Sequence, residues 1–503
     1  MLRLPALLLA LVAAAPPAPA QVPAPYGDAV AARFPAPERR YDTPAFAPGR
    51  EEFTRNHELT DFLAALADGE RVHRIDLGRS PAGAPITALH FTRGPGRPTA
   101  LLIGQQHGNE PAGAEALLAV AQALARAGSS LAEVLEAIDV VVLPRANPDG
   151  ALLGRRGNAQ NLDVNRDHLL LATPEARLIA DLARRFEPVL VVDVHEHLAL
   201  SRHWQAIGAT ARHDLLVQIA TTPNLAPSIV RFSEEAFRQP LWRDLEREGL
   251  SVDWYYVRGA ADGRLAMGGV QPALARNAYG LRHAVSVLLE SRGMDLGRLH
   301  FERRVHSHVV AVTSLLRSTA ANAGVLAGHR AEAAAEQARQ ACAGTLVVDA
   351  QPTPTRRELV LIDARTGADR PVTVDWDSSL QLRPVISRSR PCAYWLDAGA
   401  GDAVGRLRAL GVAVRAIEAP QSLAVERYRE TARGSAADPA APLRLGVTLV
   451  AERLQAPAGS YLVPMNQPLS ALAAAALEPD TAHSFVAHRL LTLAQLARVL
   501  EMP

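Results

Sequence analysis

Residues 99–111 read Thr-Ala-Leu-Leu-Ile-Gly-Gln-Gln-His-Gly-Asn-Glu-Pro, and this stretch decides the fold class. Its first six residues form a continuous apolar run, which is typical of a strand buried on both faces of a parallel sheet. His107 and Glu110 follow, at a spacing that brings two side chains to one face of a helical turn. Imidazole nitrogen and carboxylate oxygen are both zinc ligands, and a catalytic zinc commonly has three protein ligands. The pair therefore predicts a metal site only if a third ligand is found.

Apolar runs and amphipathic helical segments alternate along the first 318 residues. The runs at 86–92, 99–103, 138–143 and 188–194 predict strands, and the segments 56–67, 112–127 and 174–186 predict helices. This alternation indicates an α/β fold with a mixed, largely parallel sheet flanked by helices. In such sheets functional groups collect beyond the carboxyl ends of the strands, which is where His107 falls.

The character of the chain changes after about residue 318. An Ala- and Glu-rich stretch, 319–343, predicts a connecting helix, and residues 344–503 predict a smaller mixed α/β domain. Its short β-branched segments at 345–348, 358–362, 371–374 and 443–450 are interrupted by helical stretches at 403–410 and 469–477. The sequence shows no catalytic cluster there. Its two cysteines, Cys342 and Cys392, are consistent with a disulfide or with two buried free thiols.

The N-terminus has the features of a secretory signal peptide. Residues 1–20 contain Arg3, an apolar stretch and the sequence Ala18-Pro-Ala20, and residues 21–50 predict a linker or an extended arm. We therefore expect an exported protein, periplasmic or extracellular, with no stable membrane span. The net charge of +1 gives no electrostatic case for nucleic acid. The chain contains no lysine, which excludes Schiff-base and lysine-base mechanisms.

Two further segments supply candidate partners for the His107–Glu110 pair. His195 follows the apolar run 189–194, so it is expected to enter a loop at an active-site mouth. Glu196 and His197 remain rivals, and His197 shares the same strand face. Between the two candidate ligand segments lies a polar loop, 156–167, that contains Arg156, Asn165 and Arg166. An arginine guanidinium can form paired, charge-assisted hydrogen bonds to a planar carboxylate. The loop therefore indicates recognition of a carboxylate-bearing ligand.

In chain order these motifs resemble the zinc carboxypeptidase family, the M14 type of metallopeptidase. The matching stretches are His107-x-x-Glu110, Asn147-Pro-Asp-Gly150, Asp163-Val-Asn165-Arg166, Asp193-Val-His195 and the late segment 286–293, which contains Glu290. The resemblance covers about residues 55–315 and implies a carboxypeptidase-like catalytic domain at 51–318. It also implies one Zn²⁺ per chain.

The resemblance assigns each matching residue a role. His107, Glu110 and His195 would bind zinc, and Asp163 would orient the first histidine. Arg156 would polarise the scissile carbonyl, Asn165 and Arg166 would grip the terminal carboxylate of the substrate, and Glu290 would be the general base. The family often has a tyrosine that closes over the substrate. Tyr255, Tyr256 and Tyr279 compete for that position, and Tyr279 is preferred because it lies eleven residues before Glu290.

Three functions are compatible with these residues. The first is a secreted carboxypeptidase that hydrolyses a C-terminal peptide bond. The second is a zinc-dependent deacylase of the aspartoacylase or succinylglutamate desuccinylase type, acting on an N-acyl amino acid, which shares the ligand motif and an Asn-Arg pair. The third is an inactive zinc-containing protein that binds peptides or glycans. The Glu290 carboxylate argues against the third function, and the signal peptide favours the first over the second. The oligomeric state cannot be read from the sequence.

Overall fold

An eight-stranded mixed sheet is the centre of the computed structural model, which describes residues 27–258, 264–434 and 441–501. The predicted signal peptide lies outside the described residues. The strands stand in the order β1-β2-β4-β3-β5-β11-β7-β8. Their bounds are β1 Val72–Arg79, β2 Pro85–Phe91, β3 Thr99–Gly104, β4 Asp139–Leu143, β5 Leu190–His197, β7 Leu215–Ile219, β8 Val252–Trp254 and β11 Val285–Arg292.

The four strands in the middle of this sheet are parallel. Strand β3 pairs with β4 on one side and with β5 on the other, and β5 pairs with β11. The strands β1, β2 and β7 join them in antiparallel pairs. The predicted mixed, largely parallel sheet is therefore confirmed. All four central strands end at the same edge, so the loops that follow them meet there.

Helices cover both faces of the sheet. On one face α2, α3, α8 and α10 pack against side chains such as Leu102 and Val192, and on the other α5 and α9 pack against Leu101, Ile103 and Val191. This alternation along one strand explains the continuous apolar runs, since both faces are buried. The helices are α1 Asp28–Ala31, α2 Asn56–Leu66, α3 Pro111–Ala125, α4 Pro148–Leu153, α5 Pro174–Phe186, α6 Arg202–Ala206, α7 Pro227–Phe232, α8 Gln239–Arg247, α9 Ala275–Gly280, α10 Phe301–Ala321, α11 Ala323–Arg339, α12 Gly401–Ala409 and α13 Ser470–Leu477.

Two further sheets complete the molecule. A five-stranded sheet has the order β6-β12-β13-β10-β9, with β6 Ala209–Ala211, β9 Tyr256–Arg258, β10 Leu265–Met267, β12 Thr345–Asp363 and β13 Asp369–Ser389. A six-stranded sheet has the order β15-β18-β14-β19-β16-β17, with β14 Ala393–Leu396, β15 Arg415–Ala416, β16 Gln421–Arg433, β17 Leu445–Ala456, β18 Tyr461–Pro464 and β19 Leu496–Val499.

The five-stranded sheet crosses the predicted domain boundary at residue 343. Its long hairpin, β12–β13, pairs with β6 and β10, which belong to the predicted catalytic domain. The predicted short strands 345–348 and 358–362 are both parts of β12, whose register shifts three times along its length. The predicted connecting helix also differs, because α10 ends at Ala321 and α11 begins at Ala323 after a bend of 80°. A cystine, Cys342–Cys392, then joins the chain after α11 to the start of β14.

The predicted arm, of which residues 27–50 are described, packs on the catalytic domain. The backbone N–H of Ala45 donates to Glu115 of α3 at 3.0 Å, and the Tyr41 hydroxyl lies 2.6 Å from His306 of α10. Val30 is fully buried. In the described part of the chain, no single helix is long and apolar enough to cross a membrane; α10 and α11 reach that length only as a bent pair.

Candidate metal centre and substrate cleft

His107, Glu110 and His195 come together at the carboxyl ends of β3 and β5; His195 is still part of β5 rather than of the loop that the sequence predicted. Among the described residues they are the one group of three or more His, Cys, Asp or Glu side chains placed to hold a metal ion. The Nδ1 atoms of His107 and His195 lie 3.0 Å apart, and the Glu110 carboxylate oxygens lie 2.8 Å from the first and 2.7 Å from the second. All three side chains are at least 97% buried. The candidate ligands, which the sequence predicted on separate segments, therefore converge on one candidate metal position.

The His107–Glu110 spacing is realised on a turn rather than on a helix. The backbone N–H of Glu110 donates to the carbonyl of His107 at 3.2 Å, and α3 begins only at Pro111. A close approach holds this turn in place: a Cβ atom on Gly108 would lie 1.8 Å from the carbonyl carbon of Gly150. Asn147 joins the two segments, because its side chain accepts from the N–H of Gly150 and donates to the carbonyl of Gln106. The Asn147–Gly150 motif therefore supports the ligand turn.

A carboxylate faces the outer nitrogen of each histidine ring. The Nε2 of His107 lies 3.1 Å from Asp163, and the Nε2 of His195 lies 2.8 Å from Asp193. Such a partner fixes the proton on Nε2 and turns the Nδ1 lone pair toward a metal. The distance of 3.0 Å between the two Nδ1 atoms is close to the separation of about 3.3 Å expected for two nitrogens on one tetrahedral zinc. The donor set and its orientation therefore fit a zinc ion.

The electrostatics of this cluster also favour a cation. Burial acts to raise the pKa of Glu110, but the two imidazoles outweigh it and hold this pKa well below its usual range. Burial also acts to raise the pKa of Asp163. The hydrogen bond from His107 and the charges of His107 and Arg156 outweigh burial and hold this pKa far below its ordinary value. For Asp193 the neighbouring His195 likewise outweighs burial and lowers the pKa. Three carboxylates therefore remain ionised around the candidate metal position.

Asp193 is a functional residue to which the sequence prediction gave no role of its own. It lies two residues before His195 on β5, and the alternation of a strand puts residues i and i+2 on the same face. Besides His195, its carboxylate accepts from Gln106 at 2.6 Å and from Asn165 at 3.0 Å. The period-two pattern was the signal that could have found it.

The rivals of His195 point elsewhere. The Glu196 side chain accepts from Arg304 of α10 at 2.8 Å and from the backbone N–H of Ala112 in α3 at 2.7 Å. It therefore points to the face of the sheet that α3 and α10 cover. His197 lies beyond the cluster, with its Nδ1 at 3.2 Å from the carbonyl of Leu198, and burial lowers its pKa to about 3. Neither belongs to the three-residue group.

Glu290 lies beside His195. The two residues are register partners on the parallel strands β11 and β5, so their side chains leave the same face of the sheet at the same height. The Glu290 carboxylate lines the same cleft as the ligand cluster, and 93% of the residue is buried. Burial, reinforced by the charge of Glu110, raises its pKa to about 8 in the metal-free protein. A carboxylate with a raised pKa beside a metal cluster is suited to proton transfer.

Arg156 reaches over the ligand cluster. Its Nε and Nη2 atoms each lie 2.9 Å from Asp163, and its Nη1 lies 3.3 Å from His107 and 3.8 Å from Glu110. Burial acts to lower the pKa of Arg156, but Asp163 and Glu110 outweigh it and raise this pKa, so the guanidinium stays charged. The cleft therefore presents a fixed positive group next to the candidate metal position.

Asn165 and Arg166 have different surroundings although they are adjacent in sequence. The Asn165 amide donates to Asp193 at 3.0 Å, and its oxygen accepts from the backbone N–H of Ala275, so both polar atoms of the side chain are engaged. The Arg166 side chain is 54% exposed and lines the cleft. Of the predicted pair, Arg166 is the residue that remains available to a substrate.

Tyr279, the preferred tyrosine, does not line the cleft. It is 97% buried against the apolar residues under α9, and its hydroxyl lies 3.1 Å from His168 Nδ1. Tyr255 and Tyr256 line the cleft instead, and Tyr255 is close enough for the charge of Glu290 to help raise its pKa. Distance along the chain was a poor guide because α9 turns Tyr279 into the core. No local pattern distinguished Tyr255, which follows the short edge strand β8.

Comparison with known proteins agrees with this geometry. The family model described as zinc carboxypeptidase, Peptidase_M14, matches residues 59–257. Carboxypeptidase 2 of Trichophyton tonsurans is 30% identical over 462 residues, covering 88% of this chain and 84% of its own length, and carboxypeptidase 2 of Trichophyton equinum is 31% identical over 467 residues with the same coverage.

Among solved structures, the metallo-carboxypeptidase of Burkholderia cenocepacia is similar, with a TM-score of 0.42 at 18% identity, covering 52% of this chain and 68% of its own. The match to the family model covers the segments that bring His107, Glu110 and His195 together. The chain belongs to the M14 family of zinc carboxypeptidases.

Proposed function

We propose that this chain is an exported carboxypeptidase that binds one zinc ion through His107, Glu110 and His195 and uses Glu290 as its general base. The observation that carries the proposal is the pairing of Glu290 with His195 across β11 and β5, beside a ligand cluster that fits zinc. The signal-peptide features of residues 1–20 support export, to the periplasm or to the medium.

Each step of peptide hydrolysis has a group in the cleft to perform it. Zinc would act as a Lewis acid and lower the pKa of a water molecule from 15.7 to about 7. Glu290 would accept the proton of that water as it attacks the scissile carbonyl, and it would then donate the proton to the leaving amine. Its carboxylate has no hydrogen-bond partner among the described side chains, so it is free to exchange a proton.

Arg156 would stabilise the negative charge that develops on the carbonyl oxygen. Arg156 lines the cleft with its Nη1 at 3.3 Å from His107, and a preorganised donor of this kind contributes about 3 to 4 kcal/mol to transition-state stabilisation. Asp163 holds the guanidinium from behind through two contacts of 2.9 Å. The same carboxylate faces His107, so Asp163 would position a zinc ligand and the oxyanion donor together.

Arg166 would bind the terminal carboxylate of the peptide. Its guanidinium is 54% exposed at the cleft, and its ion-pair contact with Asp163 is long, at 4.0 Å. The neighbouring Asn165 would serve a different purpose from the predicted one, because its amide donates to Asp193, the carboxylate that faces His195. Tyr255, rather than Tyr279, would face the substrate from the cleft wall.

The deacylase is the weaker alternative. The long alignments to curated carboxypeptidases cover 84% of those proteins, including the region beyond the catalytic sheet, and they favour the peptidase. The inactive binding protein is disfavoured by the position of Glu290, since a protein that only binds has no need for a buried carboxylate beside the ligands.

One experiment tests the proposal. The purified protein should contain about one zinc per chain by elemental analysis and should release single C-terminal residues from a peptide mixture, as read by mass spectrometry. N-acyl amino acids should be cleaved much more slowly than peptides. Efficient cleavage of N-acyl amino acids without release of C-terminal residues would support the deacylase, and zinc binding without either activity would support the inactive protein.

A further inference from the structure

Arg276 is a buried cation in the wall of the cleft. It is the second residue of α9, it is 97% buried, and it lines the same cavity of about 460 Å³ as Glu290 and Arg166. Within the described residues its guanidinium makes one hydrogen bond, from Nη2 to the carbonyl of Gly269 at 2.5 Å. Its Nε has no partner there, and no carboxylate lies within ion-pair distance of it.

Three of the other buried arginines show how such a charge is compensated, whereas Arg390, which is 8% exposed, also has no carboxylate partner among the described residues. Arg304 pairs with Glu196, and Arg498 pairs with Glu426 and Glu478. Arg145 has no carboxylate partner, but it donates to three oxygen atoms at 2.7 to 2.8 Å. Burying a charge without such compensation is costly. A group outside the chain is therefore the natural partner of Arg276.

The charge of Arg276 persists at neutral pH. Burial lowers its pKa to about 10; the positive charge of Arg166 acts in the same direction, and the charges of Tyr255, Asp193 and Glu290 act against it. Arg166 and Arg276 therefore lie close enough to repel each other across the cleft. Of the other two arginines that line the cleft, Arg156 is already held by Asp163, and Arg258 is exposed at the rim. Arg166 and Arg276 are thus left inside the cleft for negative charge on a substrate.

We infer that Arg276 binds the side-chain carboxylate of the C-terminal substrate residue, while Arg166 binds its α-carboxylate, so the enzyme prefers peptides that end in glutamate or aspartate. The inference rests on the proposed function. An acidic C-terminal residue carries two carboxylates a few bonds apart, which matches two neighbouring guanidinium groups and relieves their mutual repulsion. A lysine or arginine side chain would meet the same buried cation and be rejected.

The first test uses the unmodified, zinc-loaded protein. Acylated dipeptides that end in Glu, Gln, Phe and Lys are compared by kcat/KM, where Glu and Gln have nearly the same shape and differ in charge. A charged hydrogen bond is lost when Gln replaces Glu, so we expect kcat/KM for the Glu peptide to exceed that for the Gln peptide about 10-fold or more. The Lys peptide should be the poorest substrate. Titration calorimetry should show that free glutamate binds more tightly than free glutamine.

The second test uses the variant Arg276→Met, with Arg258→Met as the control. Arg258 is exposed at the rim of the same cleft, so its replacement removes an equal charge without touching the buried position. Arg276→Met should lower kcat/KM for the Glu peptide about 10-fold and leave the Gln peptide within about threefold. Arg258→Met should keep the Glu-to-Gln ratio of the unmodified protein. The zinc content and Tm of both variants establish that they are folded.

The outcomes separate this inference from the proposed function. If none of the peptides is cleaved, the proposed function fails. If peptides are cleaved but Gln is released as fast as Glu, only the inference is overturned, and this comparison stands even if Arg276→Met does not fold. An equal loss for all peptides in Arg276→Met would mean that Arg276 binds the α-carboxylate, which also overturns the inference.

Discussion

Glu290 stands directly across from His195 on the neighbouring parallel strand, so the candidate base and a candidate zinc ligand are held by the same backbone hydrogen bonds. The two residues are 95 positions apart in the chain, yet their separation in space is that of adjacent strands, about 4.8 Å. A base carried by the sheet cannot drift from the metal in the way that a base on a loop can. This arrangement gives the strongest prediction of the proposed mechanism.

Replacing Glu290 with Gln should remove the proton acceptor and leave the ligands in place. General base catalysis contributes about 10² to 10⁴ in rate, so kcat/KM should fall by that factor while zinc content stays at about one per chain. Glu70→Gln is the matched control, since Glu70 lies at an exposed turn far from the cleft, and it should behave like the unmodified protein. An active, zinc-loaded E290Q variant would place the base elsewhere.

The rate should depend on pH through the same carboxylate. The base acts when it is deprotonated, so kcat/KM should rise with pH through the pKa of Glu290. Burial raises this pKa to about 8 without metal, and the charge of zinc will lower it again, so the midpoint of the acid limb should lie between the ordinary value of 4.5 and about 8. Initial rates from pH 4 to 9 measure it. A flat profile down to pH 4.5 would contradict the raised pKa.

Asp193 should control zinc affinity without touching the substrate. Replacing it with Asn removes the charge behind His195, and partners of this kind typically account for about 10- to 100-fold in metal affinity. Competition with a chromogenic chelator measures the Kd for zinc. Asp181→Asn, at an exposed helical position on α5, is the control and should leave the Kd unchanged. Unaltered zinc affinity in D193N would refute the role given to Asp193.

Gly108 should tolerate no side chain. In Gly108→Ala the new Cβ would overlap the backbone of Gly150, and backbone atoms cannot move aside as a flexible side chain can. Overpacking of this kind costs about 1 to 3 kcal/mol, and the displaced turn should also lose zinc. Gly324→Ala is the control, because that glycine lies in α11 with open space around it and alanine favours helix. Thermal unfolding with and without a chelator compares the two variants.

The positions of the buried strands along the chain could be predicted from the sequence, because burial on both faces leaves a continuous apolar run. For the same reason His107 and His195 were found, since each follows such a run. Glu290 was found through its motif at the end of a third run. The family comparison agrees with the fold class and the peptidase activity, while the individual roles stay predictions.

What could not be predicted depends on contacts between distant segments. Tyr255 could be predicted only as one of three competing tyrosines, because no local pattern shows that it lines the same cleft as Glu290. The sequence predicted two short strands in place of β12, since this stretch contains Pro352 and Pro354, and prolines normally interrupt strands. The structure accommodates them where the pairing shifts register between Pro352 and Thr353.

The order of the strands has a consequence for how the enzyme is made. All three candidate ligands have been synthesised once β5 is complete, but β11 enters the sheet between β5 and β7 much later in the chain. A growing chain that has reached residue 197 therefore contains every metal-binding group and no Glu290. On the proposed mechanism, insertion of β11 would be the step that converts a metal-binding polypeptide into a hydrolase.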